Sequence, residues 1–344
     1  MPDPVRLAVI GLGMATKPHL EALEELRGRV EVSGVFTRNA DKAHEVGKAH
    51  NWPIFDSLDA IADDTATQAV LLATPPNARA DIAARMAAAG KHILMEKPVE
   101  RTLEAARDIV ETCERAGVTL GIVFQMRFRA ATMRLRALLK EGALGDMALV
   151  QARVPWWRDQ AYYDAPGRGT LARDGGGVLI SQAIHVLDMM LSLTGPATEV
   201  QASVATTRLH AMETEDFATA GLTFSSGAVG SVLATTATWP GETESLTIDG
   251  TLGTATLTGG HLKVAWRDGR IEEQGEVSGT GGGADPMAFP CDWHRDLIAD
   301  FAAAIAEGRV PAVPGREALR VHALIDAMVR SGKAGKRMDV EDVG

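Results

Sequence analysis

Residues 6–20 read RLAVIGLGMATKPHL, an apolar run, a glycine turn and then a helical pattern. An apolar run that stops at Gly11 and Gly13 and resumes with apolar residues at helical spacing describes a strand, a tight turn and a helix, the opening of a βαβ unit. Backbone N–H groups at the start of such a helix form an anion site, and the turn Gly11, Gly13, Met14 and Ala15 lets a pyrophosphate approach them closely. The third position of the G-x-G-x-x-G pattern is Thr16. Flavins and other nucleotides share this pattern, but its setting between strand and helix favours a nicotinamide dinucleotide.

Outward from this stretch the same alternation continues. Strand patterns recur at VEVSGVF (30–36), QAVLLA (68–73), KHILM (91–95) and VTLGIVF (118–124), with amphipathic helical segments between them. That rhythm predicts an α/β fold with a doubly wound parallel sheet. It changes after residue 127. A helix over 130–141, a strand over 147–154, a loop rich in Trp, Tyr and Arg, and a further helix lead into segments between 198 and 275 that alternate apolar and polar residues. These predict a large, mostly antiparallel open sheet with one solvated face. GEVSGTGGGADP (275–286) reads as a glycine-rich loop, and two helical segments close the chain. The expected division is a Rossmann domain over 1–127 and a second α/β domain over 128–344, with the C-terminal helices free to pack back on the first.

Composition narrows the function. Across 344 residues there are 35 basic and 45 acidic side chains, a formal charge of −10, which argues against nucleic acid or an anionic membrane as partner. Cys113 and Cys291 are the only cysteines and lie far apart in sequence, so neither a disulfide framework nor a cysteine zinc site is expected. No apolar run approaches the roughly 18 residues of a membrane span, and the first strand pattern begins at Val5, so a cytoplasmic protein is expected.

Four further stretches carry candidate chemistry. The second strand ends VFTRN, with Thr37 and Arg38 where an acid would meet the ribose 2′-hydroxyl of NAD; a guanidinium there suits a 2′-phosphate, so NADP is preferred over NAD. The alternative for Arg38 is a solvated turn residue. KHILMEKPVE places Lys97 just beyond the carboxyl end of a strand, where ligands of such sheets bind. A lysine's ordinary pKa is roughly 10.4, and proton transfer near neutrality favours about 7 to 8, a change that desolvation and an oxidised nicotinamide would both promote. GGGVLISQAIHVLD (175–188) aligns Ser181, His185 and Asp188 on one stripe of a helix otherwise apolar nearly all round, facing either a structural hydrogen-bond network or a ligand. VPWWRDQAYYDAPGRGTLARDGGG (154–177) concentrates Trp156, Trp157, Arg158, Tyr162, Tyr163, Arg168 and Arg173. Aromatic faces and guanidinium forks together suit an acidic sugar, while the alternative is a loop stapled to the core with its arginines paired to Asp159, Asp164 or Asp174. His294, at the start of the next-to-last helix, is placed to reach the site, but a helix cap or core histidine is the favoured reading.

The segments GLGMAT, AVLLATPPN, EKP (96–98), FQMRF and GGGVLISQAIHVLD occur in the order found in the Gfo/Idh/MocA oxidoreductases, and DFAAAIAEGRVP and VHALIDAMVRSG resemble that family's last helices. The resemblance covers essentially the whole chain. It implies hydride transfer between NADP or NAD and a secondary alcohol or ketone of a sugar, sugar acid or cyclitol, in a homodimer or homotetramer built through the C-terminal sheet. Lys97 and His185 become the catalytic pair, and the Lys97–Pro98 bond is expected to be cis. Cofactor binding falls to Gly11, Gly13, Met14, Ala15, Thr37, Arg38, Thr74, Pro75, Asn77, Glu96, Lys97 and Gln125. Substrate binding falls to Lys97, Arg127, Trp157, Arg158, Tyr163, Arg168, Ser181 and His185, and no metal is expected. Two positions depart from the family: Ser181 stands where many sugar dehydrogenases have an acid, and Arg79 replaces a histidine. The rival readings are a glycoside hydrolase or lyase that oxidises its sugar transiently, and a cofactor-binding regulator without turnover.

Overall fold

A computed structural model describes residues 3–277 and 290–344. Most of the glycine-rich stretch read at 275–286 therefore lies outside the described residues. The chain divides into two compact units, one of residues 3–123 and 290–318, the other of 124–277 and 319–344.

In the first unit, β1 (Val5–Ile10), β2 (Val30–Phe36), β3 (Ala69–Leu72), β4 (His92–Met95) and β5 (Leu120–Ile122) form a parallel sheet in the order β2-β1-β3-β4-β5. Continuous apolar runs suit a sheet covered on both faces, and all four residues of β3 are fully buried. Helices α1 (Lys17–Glu25), α2 (Ala40–His50), α3 (Leu58–Asp63), α4 (Arg79–Ala88) and α5 (Leu103–Arg115) connect the strands. A single parallel bridge from Val35 to Ile54 marks one more strand position outside β2. Pro53 supplies no N–H beside it, so no regular strand forms there. Counting that position, the connection reverses between β1 and β3, the switch point at which α/β sheets bind ligands.

The second unit begins with a 3-10 turn (Gln125–Phe128), α6 (Ala130–Lys140), β6 (Met147–Pro155), the short α7 (Gln160–Asp164) and α8 (Ile184–Thr194). Its nine-stranded sheet adds β7 (Ala197–Ala205), β8 (Phe217–Phe224), β9 (Val229–Thr235), β10 (Ser245–Gly250), β11 (Gly253–Thr258), β12 (His261–Trp266), β13 (Ile271–Gln274) and β14 (Met338–Asp339). The order is β13-β12-β11-β10-β6-β9-β8-β7-β14, and only β6 and β9 run parallel. Burial alternates along β8 and β10, with Ala218, Ala220, Leu222, Leu246 and Ile248 facing the core as their period of two requires. β12 and β13 lie within the 198–275 stretch that the sequence reads as sheet, although no separate segment was marked for either, and β14 was not expected. The first two are short and polar on the outer face, and β14 has only two residues.

Two long helices complete the chain. α9 (Asp292–Glu307) packs on α1, β1 and β4, so it belongs to the first unit although it follows the second in sequence. α10 (Gly315–Ala334) runs onward, and Ser331 on it accepts a hydrogen bond from Ala202 N–H of β7 at 2.9 Å. Phe301, 1% exposed, holds α9 against the sheet where Gly121 leaves no room for a side chain. Replacing it by alanine removes a large buried ring, and Phe301→Ala is expected to cost about 3–5 kcal/mol of stability. Urea unfolding measures this, and a loss below about 1 kcal/mol would show that α9 is not part of that core.

Candidate active site

Every site residue read from residues 11–97 lies just beyond the carboxyl end of a strand of the parallel sheet. Gly11, Gly13, Met14 and Ala15 follow β1; Thr37 and Arg38 follow β2; Thr74, Pro75 and Asn77 follow β3; Glu96 and Lys97 follow β4. Gly11 has φ +95°, and a Cβ there would lie 2.9 Å from the Ala73 carbonyl, so only glycine fits. A Cβ on Gly13 would meet nothing within 4 Å, which leaves open space ahead of the first turn of α1. Thr74 contributes a buried hydroxyl with no hydrogen-bond partner among the described residues. An orphan hydroxyl in a loop beside a helix N-terminus is suited to a polar ligand. Arg38 is exposed, and among the described residues it forms no ion pair.

Glu96 is the electrostatic centre of this unit. It is buried, with one carboxylate oxygen 2.6 Å from His19 Nε2 and the other accepting the Lys97 backbone N–H at 3.1 Å. Burial pushes its pKa up, but the hydrogen bond with His19, helped by the electrostatic attraction of His19 and Lys97, outweighs it and holds the value at about 2. His294, on α9, stacks edge-on against His19 with ring centroids 4.7 Å apart. Burial, reinforced by the His19 charge and opposed by Glu96, lowers its pKa to about 3, so it stays neutral near pH 7. His19, Glu96 and His294 bring ligand-type atoms within 4.8 Å of one another. At 2.6 Å the His19–Glu96 pair is a charge-assisted hydrogen bond. The Lys97–Pro98 peptide is cis.

In the second unit the helix carrying His185 starts unusually. Residues Leu179–Ala183 form a π-helical turn before α8. Such turns recur at functional sites, and here the turn breaks the uniform spacing on which the Ser181–His185–Asp188 stripe was read. Asp188 receives Nε and Nη2 of Arg127 at 2.7 and 2.6 Å, a bidentate buried pair that ties the 3-10 turn to the helix. The guanidinium of Arg127, a candidate substrate ligand, is thus engaged by α8. His185 is 8% exposed, with the Phe124 ring edge-on at 5.9 Å, and Ser181 is half-buried. Gln125 is buried, and its Oε1 finds no partner among the described residues. The last of the three glycines has a packing role: a Cβ on Gly177 would run into the Glu215 backbone. Glu215 also caps the helix start, its carboxylate accepting Gly177 N–H at 3.1 Å and Leu179 N–H at 3.2 Å.

The aromatic loop separates into core and edge. Tyr163 is buried, its hydroxyl 2.6 Å from Thr236 Oγ1, and burial pushes its pKa up to about 12. Tyr162 is half-buried and receives Arg168 Nη1 at 2.6 Å and Gln182 Nε2 at 3.4 Å. The Arg168 and Arg158 guanidinium groups lie 4.3 and 5.7 Å from its ring centroid. Trp157 stands between His210 at 5.6 Å and the exposed Trp239 at 5.3 Å. Arg173 pairs with Asp174 at 3.8 Å. His210, which the sequence reading passed over, donates Nε2–H to the Arg158 carbonyl at 2.8 Å, while its Nδ1 lies 2.8 Å from Asp216.

A dinucleotide-type parallel sheet joined to a unit with a large open sheet defines the class. Residues 5–124 match the oxidoreductase family with the NAD-binding Rossmann fold, and residues 132–256 match the GFO/IDH/MocA C-terminal domain. The chain belongs to the Gfo/Idh/MocA oxidoreductases. It is 26% identical to the D-apiose dehydrogenase of Paraburkholderia graminis over 98% of this chain and 90% of that protein. With the rhizopine catabolism protein MocA of Rhizobium meliloti it shares 32% identity over 55% of this chain and 57% of that one. The WlbA dehydrogenase of Bordetella pertussis, solved with NADH and UDP-GlcNAcA, superposes with a TM-score of 0.84 at 29% identity, covering 98% of this chain and 99% of the other.

The state of His294 makes stability depend on pH. Its folded value lies below the unfolded 6.5, so as pH falls from 6.5 towards 3 the unfolded chain takes up a proton that the folded chain refuses, and stability drops. Between pH 7 and 5 this amounts to about 2 kcal/mol. His294→Leu should flatten the difference in urea midpoint between those two pH values; an unchanged difference would assign the slope to other groups.

Proposed function

We propose that this protein is an NADP(H)-preferring dehydrogenase or reductase acting on a secondary alcohol or ketone of a sugar, sugar acid or cyclitol, with Lys97 and His185 as its acid/base groups. The observation that carries the reading is the hydrogen bond of the Lys97 backbone to the buried Glu96 beyond the carboxyl end of β4, the same end of the sheet where the glycine turn and Thr74, whose hydroxyl has no partner among the described residues, also lie. The relatives support the class of reaction and not the choice between the two cofactors: one is a D-apiose dehydrogenase, and another was solved with NADH and UDP-GlcNAcA.

The nicotinamide, when bound, accepts or gives the hydride. Gly11, Gly13, Met14 and Ala15 bind its pyrophosphate through the backbone, and Thr74, Pro75, Asn77 and Gln125 bind its remaining polar groups. Thr37 and Arg38 take the 2′-phosphate. That Arg38 is exposed and forms no ion pair among the described residues supports NADP. In oxidation, the Lys97 amine or the His185 imidazole accepts the hydroxyl proton as the C–H pair leaves; in reduction one of them returns it to the carbonyl oxygen. Ser181 supplies a hydroxyl but no carboxylate, so it orients the substrate while the other two carry the proton. Arg168 and Arg158 beside Tyr162 and Trp157 recognise a carboxylate or phosphate on the substrate. The open sheet joins copies of the chain into a dimer or tetramer.

NAD(P)H formation at 340 nm, followed against sugars, sugar acids and cyclitols, tests the activity. On the substrate found, Lys97→Ala is expected to lower kcat by about 1000-fold or more while the cofactor Kd stays within threefold. A variant with near wild-type turnover would refute the assignment of Lys97. Arg38→Asp should reverse the preference between NADPH and NADH in fluorescence titrations, and unchanged relative affinities would contradict the 2′-phosphate role. Aglycone release without net absorbance change would point instead to transient oxidation.

A further inference from the structure

Arg79 opens α4, and its guanidinium is one of the most enclosed charges in the first unit, 3% exposed. Its contacts are unusual in kind. Nε and Nη2 both donate to the Thr74 carbonyl, at 2.9 and 2.7 Å. Nη1 donates to the carbonyls of Glu96 and Pro98, and Nη2 approaches that of Lys97 at 3.5 Å. One cation therefore gathers the carbonyls of three consecutive residues, 96 to 98, together with that of the strand-end threonine. Three carbonyls turned the same way repel one another unless a donor sits at their focus, so the turn depends on what occupies that point.

We propose that Arg79 is the positioning residue of the reaction: it sets the backbone turn that carries Lys97 together with the Thr74 carbonyl. The inference rests on the reading of Lys97 as a proton carrier. A planar fork with five N–H donors suits this task, whereas a lysine ammonium is a single point and an imidazole offers two donors at most. Burial lowers the pKa of the Arg79 guanidinium to about 10, and Glu96 and Glu100 lie close enough to oppose the shift. Arg79 touches no reacting atom; it acts through the turn.

The test compares wild type with Arg79→Lys, which keeps the charge, and Arg79→Gln, which does not. Acylation of Lys97 by acetic anhydride, scored by mass spectrometry against the exposed Lys48 between about pH 6 and 10, reports the lysine's setting without needing a substrate. Both variants are expected to change the Lys97-to-Lys48 labelling ratio by about threefold or more and to move its pH midpoint. On a sugar that turns over, kcat should fall by about tenfold or more with KM nearly unchanged. A purely structural arginine would lower the unfolding temperature and leave Lys97 labelling in the folded fraction as in wild type, and that result overturns the proposal. Arg79→Lys decides alone if Arg79→Gln does not fold. Should Lys97→Ala retain turnover while the labelling changes, the proposed chemistry fails and the hold of Arg79 on the turn stands. Should Lys97→Ala be inactive while labelling is unchanged, the reverse holds.

Discussion

Burying the Glu96 carboxylate is the constraint on which the rest of the first unit depends. An isolated carboxylate out of water is untenable, and removing one partner of a buried pair typically costs about 3–5 kcal/mol. Both its oxygens are engaged, one by His19 from α1 and one by the backbone of Lys97. Because His19 lies in the helix that begins at the glycine turn, the same ion pair fixes that helix relative to the end of β4. His294 closes the cluster from α9, which explains why a segment so late in the chain belongs to this unit. Glu96, expected from the sequence to bind cofactor, is thus held by His19 and by the backbone of the lysine that follows it.

The second unit solves a similar problem with arginines. Arg129 is 2% exposed and donates to Glu244 at 2.8 Å and to the Gly259 carbonyl at 3.1 Å, tying the start of α6 to the edge of β10. Arg127 does the same for α8 through Asp188. Buried pairs of this sort contribute little net stability, but they specify which helix turn meets which strand. His185 therefore projects from a helix held at its start by Glu215 and, further along, by Arg127.

Much of this was legible in the sequence. Strand β2 falls on the residues that its pattern predicts, and the other strands of the parallel sheet lie within theirs, because runs buried on both faces have one reading. The glycine turn, the Lys97 turn and the helix of His185 were identifiable because each joins a residue type to a structural punctuation mark. What escaped was whatever depends on partners far away in sequence. His19 lies 77 residues from Glu96, and Glu215 lies 38 residues from the Gly177 that it caps; periodicity carries no information about either. The π turn hid because Ser181 and His185 are also compatible with a regular helix. Of the two tyrosines, Tyr163 was singled out, yet the hydroxyl turned towards the arginine is that of Tyr162, a choice that depends on which side of a five-residue helix faces Thr236.

Lys97 lies close enough to Glu96 to stabilise its charge, and coupling between two charges is felt equally by both. The most direct measurement is the pH dependence of kcat/KM for wild type and Glu96→Gln. Removing the buried anion should move the limb that titrates the lysine to lower pH and lower the plateau, while the cofactor still binds. Superimposable profiles for the two proteins would contradict the coupling and, with it, the placement of proton chemistry on this turn.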